Sequence, residues 1–216
     1  MRYIKKGKEP VFFTEAKKNI DKNCGDPWLY SKSISNVSKD LRIHIAKEQN
    51  NCCAYCEEHI NAENKEDCDI DHFRKRNIFK SLDDILDYNN LFVSCKNQDH
   101  CSNYKDKHMN IIGKPGKDKY NYIINPADEN DKPEKYFIYN TFAKTIEPNP
   151  SLSEKDKEKA KLTIKLFQLN CINLKNARKK VLDAVMIMKK YNKSYKLEDL
   201  VNQFGFYSFI KKLLNK

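Results

Sequence analysis

An aspartate and a histidine stand side by side near the middle of the chain, at Asp71 and His72. A carboxylate can hold Mg²⁺, which polarises a phosphate and stabilises a leaving oxygen. A neutral imidazole can remove a proton from an attacking water, because its ordinary pKa lies near neutrality. The pair therefore has the chemistry that phosphodiester hydrolysis needs. The alternative is a half-buried structural histidine that is bonded to a backbone carbonyl.

Two pairs of cysteines flank this dipeptide. Cys53 and Cys56 form a Cys-x-x-Cys knuckle, and Cys95 and Cys101 form a second pair. Two thiolates from one tight turn can take adjacent corners of a tetrahedron, so the two pairs predict a closed structural Zn²⁺ site. Five residues separate the second pair where two are usual, which makes His100 a competing ligand. The alternative is that these cysteines are buried free thiols.

The remaining cysteines are interpreted as small buried hydrophobes. Cys24, Cys68 and Cys171 stand alone, and Cys52 is adjacent to Cys53 and cannot easily share its knuckle. The first ten residues are rich in charged side chains, and no apolar run follows them. The sequence therefore predicts neither a secretory signal nor a membrane span. We expect a cytoplasmic protein, in which clustered cysteines bind metal in preference to forming disulfides.

Further polar side chains follow the Asp-His pair. Asn90 precedes an apolar stretch, and Asn103 and Lys105 come just after the last predicted zinc ligand. The Asn103 oxygen is expected to complete, with Asp71, a second metal site for Mg²⁺ or Mn²⁺.

The elements that position these residues alternate in type. Val37, Leu41 and Ile45 recur every four residues and predict an amphipathic helix over 36–49, directly before the knuckle. Residues 69–73 alternate as a strand does, residues 91–93 predict a second strand, and residues 103–108 begin a short helix. Adjacent side chains of a strand point to opposite faces, so Asp71 and His72 can cooperate only if the strand bends or the metal lies at its edge.

The flanking regions carry weaker patterns. Residues 1–35 are interpreted as an ordered but irregular arm with Trp28 and Leu29 as core anchors, and Gly113, Pro115 and Gly116 break the chain after the short helix. Two more strands, forming a hairpin, are predicted at 120–124 and 136–139. A capping box at 151–154 starts a helix that runs to Leu169, and further helices are predicted at 176–191 and 196–214.

Composition limits the function classes. The chain has 216 residues, of which 39% are hydrophobic and 33% charged, enough for one folded core. Its formal net charge of +11 favours an anionic partner such as nucleic acid. The alternative is that lysines only coat a solvated surface, as in any lysine- and asparagine-rich chain.

The order of these motifs resembles the HNH, or ββα-metal, nuclease family. The matching elements are Cys53/Cys56, Asp71-His72, Asn90-Leu91 and Cys95/Cys101 with Asn103 and Lys105. Weaker matches at 4–10, 48–49, 57, 73–74 and 169–178 extend the resemblance to the PtuB subunit of Septu-type and retron-associated anti-phage systems. Lys75 departs from the proline that is usual after Phe-Arg, and Asp71 from a glutamate often met there.

The resemblance implies roles for these residues. His72 would be the general base, Asp71 and Asn103 would bind the catalytic ion, and Asn90 would brace the loop that orients His72. Lys105 and Arg74 would contact phosphate. The resemblance also implies an ATPase partner of the PtuA type, with DNA favoured over RNA as the substrate.

The expected fold is α+β, a zinc-stabilised ββα-metal core embedded in a mainly helical chain. Within one compact unit the predicted regions are an N-terminal arm and helix at 1–51, the nuclease core at 52–110, a β-rich extension at 111–150 and a helical region at 151–216.

Two other functions compete with a nuclease. A zinc-stabilised nucleic-acid-binding module without catalysis would explain the charge and the cysteines. A partner-docking subunit would use the apolar residues of the C-terminal helices, although most of these are expected to be core. The sequence also leaves open whether His100 or His108 replaces one of the assigned metal ligands. The apolar residues that a partner-docking subunit would use are Val181, Leu182, Val185, Met186 and Met188.

Overall fold

The computed structural model describes residues 1–21, 23–114, 116–191 and 196–214. Within these residues the fold is α+β: helices surround two separate two-stranded antiparallel sheets. Pro115, which was expected to break the chain, lies outside the described residues. The helices are α1 (Val11–Lys18), α2 (Pro27–Tyr30), α3 (Lys32–Glu48), α4 (Leu82–Ile85), α5 (Cys101–His108), α6 (Pro133–Tyr136), α7 (Glu154–Leu166), α8 (Ile172–Lys190), α9 (Leu197–Phe204) and α10 (Tyr207–Leu213). The strands are β1 (Cys68–His72), β2 (Leu91–Cys95), β3 (Phe137–Asn140) and β4 (Thr145–Pro148).

The N-terminal region is more helical than the sequence predicts. The amphipathic helix is confirmed, but α3 begins four residues earlier, where the Ser31 hydroxyl caps it by accepting the Ile34 N–H. The prediction of an irregular arm over 1–35 is wrong at α1 and α2. Trp28 packs against the core as expected, whereas Leu29 is 65% exposed and is no anchor.

The central strands are confirmed and form one antiparallel pair. Cys68 lies opposite Cys95 at one end of the pair, and His72 lies opposite Leu91 at the other. Every residue of β2 is buried, as expected for a strand that is covered on both faces. The short helix is also confirmed: α5 follows β2 after a loop and packs on it.

The region 111–150 contains less strand than the sequence predicts. Residues 120–124 do not form a strand, because a 3₁₀ helix covers Gly116–Tyr122. The buried residues there are Tyr120, Ile123 and Ile124, a spacing that suits a helical turn and not an alternating strand. The strand predicted at 136–139 forms as β3, but its hairpin partner is β4.

The C-terminal helices return to the knuckle. Ser153, not Ser151, caps α7 by accepting the Asp156 N–H. The helix predicted at 196–214 is broken between α9 and α10 at Gly205, where φ is +69°. A side chain at Gly205 would lie 2.4 Å from the Glu57 carbonyl oxygen, so this close backbone approach requires glycine. Two C-terminal helices are thereby joined to the zinc knuckle.

A buried arginine ties α8 to the rest of the fold. Arg178 donates hydrogen bonds to the backbone carbonyls of Leu169 and Lys144, at 2.7 and 3.0 Å. Val181 and Val185 on the same helix are buried, as expected for core residues, while Met186 is 57% exposed. None of the helices in the described part of the chain has the length and apolarity that crossing a membrane needs.

Candidate metal and catalytic site

The structure brings together the four cysteines that the sequence assigns to zinc. The Sγ atoms of Cys53, Cys56, Cys95 and Cys101 all lie within 4.8 Å of one another, and all four residues are buried. The Cys53–Cys101 and Cys56–Cys95 sulfur separations are 3.7 and 3.9 Å. A tetrahedral Zn²⁺ with ordinary Zn–S bonds has sulfurs about 3.8 Å apart. The donor set therefore fits zinc, and we call these four sulfurs the sulfur site.

The protonation of these thiols is strongly perturbed. Burial raises the pKa of the Cys56 and Cys101 thiols well above the usual range. At Cys53 burial also raises the pKa, but hydrogen bonds from the other three thiols outweigh it, and the pKa falls well below its usual range. A cation among the sulfurs would remove this competition for protons, because zinc ligands bind as thiolates.

His100 lies beside the sulfur site and remains an alternative ligand. Its Nδ1 is 3.1 Å from the Cys101 sulfur and 3.7 Å from the Cys95 sulfur. It also belongs to a second group of potential ligand atoms, together with Cys56, Glu58 and Cys95. The four-cysteine set has the better tetrahedral spacing, while His100 is placed to donate a hydrogen bond to a thiolate. His108, in contrast, stacks on Tyr104 at the far end of α5.

The knuckle is fixed on β2 by backbone bonds. The Ala54 N–H donates to the Val93 carbonyl at 3.1 Å, and the Cys95 N–H donates to the Cys53 sulfur at 3.4 Å. Gln49, the C-cap of α3, pairs with both backbone groups of Val93 through its side-chain amide, at 2.8 Å each. The Gln49 side chain thus bonds to Val93 as the backbone of a neighbouring strand would. The sequence alone does not predict this role.

The other cysteines stay outside the sulfur site. Cys68 and Cys52 are buried, and the Cys52 sulfur donates to the Asn50 carbonyl at 3.4 Å. Cys24 and Cys171 are only half-buried, so the expectation of buried thiols is wrong for these two. All eight cysteines are free of disulfides.

His72 ends β1 and is only 8% exposed. Its Nε2 lies 3.0 Å from the Ile85 carbonyl oxygen, which can only accept, so Nε2 carries the proton and Nδ1 keeps a lone pair. Within the described residues Nδ1 has no hydrogen-bond partner. The Trp28 ring covers the imidazole edge-on, with ring centroids 5.0 Å apart. Burial lowers the pKa of His72 to about 4, so the imidazole is neutral at pH 7.

Asp71 is held by two side chains. The Tyr55 hydroxyl donates to Asp71 Oδ2, and the Lys105 ammonium lies 2.9 Å from Oδ2 and 3.2 Å from Oδ1. Lys105 is 0% exposed and also donates to the backbone carbonyls of His72 and Phe73, at 3.0 and 3.2 Å. Burial alone would lower the pKa of Lys105, but the Asp71 and Asp106 carboxylates raise it, so the amine is charged.

This burial bears on the phosphate contact expected of Lys105. The ammonium has three N–H groups and five oxygens around it, four that accept hydrogen bonds and the Asp106 Oδ1 at 3.3 Å, so contacting a phosphate would require it to leave these partners. The structure therefore does not present Lys105 to a nucleic acid. Arg74, the second expected phosphate contact, has an exposed side chain.

Asn90 braces the turn that follows His72. The Arg74 N–H donates to Asn90 Oδ1 at 2.8 Å, and Asn90 Nδ2 donates back to the Arg74 carbonyl at 2.9 Å. The Phe73 N–H also donates to the Asn90 backbone carbonyl, at 2.9 Å. Asn90 thus fixes three backbone groups beside His72, in a geometry that fits the expected bracing role.

Two open clefts meet at Asp71. The first, of about 510 Å³, is bordered by His72 and Asp71, and we call it the His72 cleft. The second, of about 450 Å³, is bordered by Asn103 and Asp71. Asn103 Nδ2 donates to the carbonyls of Lys96 and Asn97, and among the described residues nothing donates to its Oδ1. Asp71 and Asn103 thus share a cleft, while His72 opens into the neighbouring one.

Asp106 borders both clefts and was not singled out from the sequence. Its Oδ1 lies 3.3 Å from the Lys105 ammonium and 3.9 Å from that of Lys75, and it accepts no well-aligned hydrogen bond in the described part of the chain. Burial raises the pKa of this carboxyl, while Lys105 lowers it, with a net increase. Oxygen donors at Asp71, Asn103 and Asp106 fit a hard divalent cation such as Mg²⁺ or Mn²⁺.

Three cationic side chains line the His72 cleft together with three carboxylates, those of Asp26, Asp71 and Asp106. Lys75, Arg76 and Lys80 line it, and Arg76 is paired with Asp26, the N-cap of α2, at 2.8 Å. These residues match no motif, but they belong to a basic stretch that begins at Arg74, two residues after His72. That run was the available signal for an anion-binding wall.

Comparison with known proteins finds a relative from Escherichia coli. The chain is 25% identical over 204 residues to an Escherichia coli protein described as "Retron Ec83 putative HNH endonuclease". The similarity covers 76% of this chain and 79% of that protein. No family model matches the chain. The similarity supports the HNH nuclease family, and it extends well beyond the cysteine pairs and the Asp-His dipeptide.

Proposed function

We propose that this protein is a metal-dependent HNH endonuclease that hydrolyses phosphodiester bonds in nucleic acid. The observation that carries the proposal is the state of His72. The Ile85 carbonyl fixes the proton on Nε2, burial keeps the ring neutral, and Nδ1 is left as the free base beside a cation-lined cleft.

The proposed division of labour follows the donor chemistry. His72 Nδ1 accepts the proton of the attacking water, and Asn90 keeps the following turn in place. Asp71 and Asn103 would hold Mg²⁺ or Mn²⁺ in a proposed ββα core of β1, β2 and α5. Such an ion supplies positive charge that polarises the phosphate and stabilises the leaving oxygen. Lys75, Arg76 and Lys80 attract the phosphate backbone of the nucleic acid.

The sulfur site has a different part in this proposal. Four buried sulfurs leave no open position on a tetrahedral Zn²⁺, so the zinc stabilises the fold and takes no part in hydrolysis. Two sites with unlike donors thereby separate structural from catalytic metal.

The proposed biological setting rests on resemblance alone. The Escherichia coli relative carries a retron name, and the motifs resemble the PtuB family, so we propose a cytoplasmic effector of anti-phage defence that acts with an ATPase. DNA is the proposed substrate. Co-purification of the chain with the product of a neighbouring ATPase gene tests the partner, and failure to associate would remove that part of the proposal.

The nuclease activity is tested with the purified, zinc-loaded chain on DNA and RNA, with and without Mg²⁺ or Mn²⁺. We expect cutting that needs the added ion, and His72→Ala should lower it by roughly 10²- to 10⁴-fold as for loss of a general base. His59→Ala, at an exposed position outside the His72 cleft, is the matched control. Full cutting by His72→Ala, with contaminating nucleases excluded, overturns the assignment. Tight binding without any cutting would favour the non-catalytic binding module.

A further inference from the structure

We infer that Tyr55 and Lys105 are positioning residues that orient the Asp71 carboxylate and the His72 end of β1 for the proposed hydrolysis. This inference rests on the proposed function, because it concerns the same site. Neither residue is placed to touch a substrate, since both side chains are fully buried.

The contacts of Tyr55 point away from a purely hydrophobic role. Its ring packs on Phe167, with centroids 4.3 Å apart, and its hydroxyl reaches Asp71 Oδ2 as a donor. The ring contact alone would serve the core equally well with phenylalanine. Among the residues that the structure describes, the hydroxyl has one hydrogen-bond partner, the carboxylate proposed to hold the catalytic ion.

Lys105, on α5, holds the Asp71 carboxylate together with Tyr55. Its ammonium contacts both oxygens of Asp71, which fixes the rotation of the carboxylate, and it also binds the carbonyls of His72 and Phe73. One cation thus holds the proposed ligand residue and the backbone carbonyls of the proposed base and of the residue after it. A lysine whose only task was to bind phosphate would not be enclosed in this way.

Tyr55 also stands between two residues of the sulfur site, Cys53 and Cys56. The turn that holds zinc therefore sets the position of the hydroxyl that orients Asp71. Groups that hydrogen-bond to a metal ligand fix its orientation, and their loss typically reduces metal affinity or activity by about 10- to 100-fold. We expect loss of the Tyr55 hydroxyl to change Mn²⁺ affinity or kcat by the same factor.

The test compares Tyr55→Phe with Tyr136→Phe in the zinc-loaded full chain. Tyr136 is the matched control because its buried ring also directs a hydroxyl to a carboxylate, that of Asp131 at 2.6 Å, away from both clefts. Four quantities are measured for each variant: zinc content, the Mn²⁺ dissociation constant by calorimetry, and kcat and KM for DNA cutting.

We expect Tyr55→Phe to keep its zinc and its KM for DNA, and to lose roughly 10- to 100-fold in Mn²⁺ affinity or kcat, with Tyr136→Phe unchanged in both. Lys105→Met should show the same loss if it folds, and Tyr55→Phe carries the test if it does not. Unchanged Mn²⁺ affinity and kcat in Tyr55→Phe overturn the inference while the nuclease stands. If Tyr136→Phe loses as much Mn²⁺ affinity or kcat as Tyr55→Phe, the loss reflects a general decrease in stability, and the inference is wrong. A wild-type chain that neither binds Mn²⁺ nor cuts removes the proposed function and this inference with it.

Discussion

The sulfur site and the His72 cleft lie on different strands of the same pair: the sulfur site includes Cys95 of β2, whereas the cleft is lined by Asp71 and His72 of β1. The sulfur site is closed: its four donors are buried and face one another at separations that suit one ion. The His72 cleft is open, and its donors come from β1, α5 and the loops between them. A closed donor set suits structure, whereas an open one leaves positions for water and phosphate.

The two regions also treat charge differently. At the sulfur site burial and crowding leave the thiols competing for protons, a conflict that a bound cation resolves. Around Asp71 the protein supplies its own cation, the Lys105 ammonium, which contacts both carboxylate oxygens. A metal ion at the sulfur site is therefore expected to stabilise the fold more than one beside Asp71. Substitutions in the sulfur site and around Asp71 should therefore have different consequences for the protein.

The largest effect is expected from Cys56→Ser. Loss of one sulfur should empty the sulfur site and unfold the core, because structural zinc contributes on the order of 10 kcal/mol in small zinc domains. Cys52→Ser is the matched control, since this neighbouring cysteine is also buried but lies outside the site. Elemental analysis and thermal unfolding measure the outcome. A zinc-loaded, folded Cys56→Ser protein would point to His100 as the replacement ligand.

The pH dependence of cutting tests the other region. With a pKa of about 4, His72 stays neutral and active as a base between pH 5.5 and 7.5, so its protonation should not slow cutting in that range. A solvent-exposed histidine with an ordinary pKa would be only about one-tenth neutral at pH 5.5. The measurement is kcat against pH at saturating Mg²⁺. A tenfold loss with a midpoint near the ordinary histidine pKa would contradict a buried base.

The same depressed pKa affects stability in a defined direction. The unfolded chain protonates this histidine at its ordinary pKa, while the folded chain does so only near pH 4, so the unfolded state binds more protons in between. Stability should therefore fall as the pH drops from 7 to 4, by up to about 3 kcal/mol from this group. Urea unfolding of wild type and His72→Ala at both pH values isolates the effect, which should be absent from the variant. An equal loss in both proteins would assign it to other groups.

Motif spacing predicted the sulfur site better than the side-chain environment of the cleft. Cysteine spacing constrains where sulfurs can meet, so Cys53, Cys56, Cys95 and Cys101 were found from sequence. Lys105 was assigned to phosphate from the family resemblance, which does not report that its side chain is buried. Its position four residues after Cys101 puts both on the buried face of α5, which is the signal that it must pair with an anion inside the core.

Two fold predictions failed for local physical reasons. The region 120–124 has the aromatic and β-branched residues of a strand, but its buried positions follow a helical spacing. The break at Gly205 depends on a long-range backbone contact with Glu57, which no local pattern reports. Asp106 was missed for a similar reason, because only the packing of α5 beside β1 brings it next to Asp71.

The smallest effect is expected from Lys80→Ala, which removes a charge from the wall of the His72 cleft. Lys80 is exposed and belongs to neither metal site, so zinc content and kcat at saturating DNA should not change. Each lysine–phosphate contact releases about one counterion, so the slope of log affinity against log salt should become shallower by about one. Lys179→Ala is the control, because this exposed lysine is paired with Asp183 on α8 and lies outside both clefts. The measurement is DNA binding over a range of salt concentrations without Mg²⁺.

If both variants keep the wild-type slope, the nucleic acid does not follow this wall. If Lys80→Ala instead lowers kcat, the cationic wall takes part in the chemistry, and the division between a binding surface and the reacting groups no longer holds.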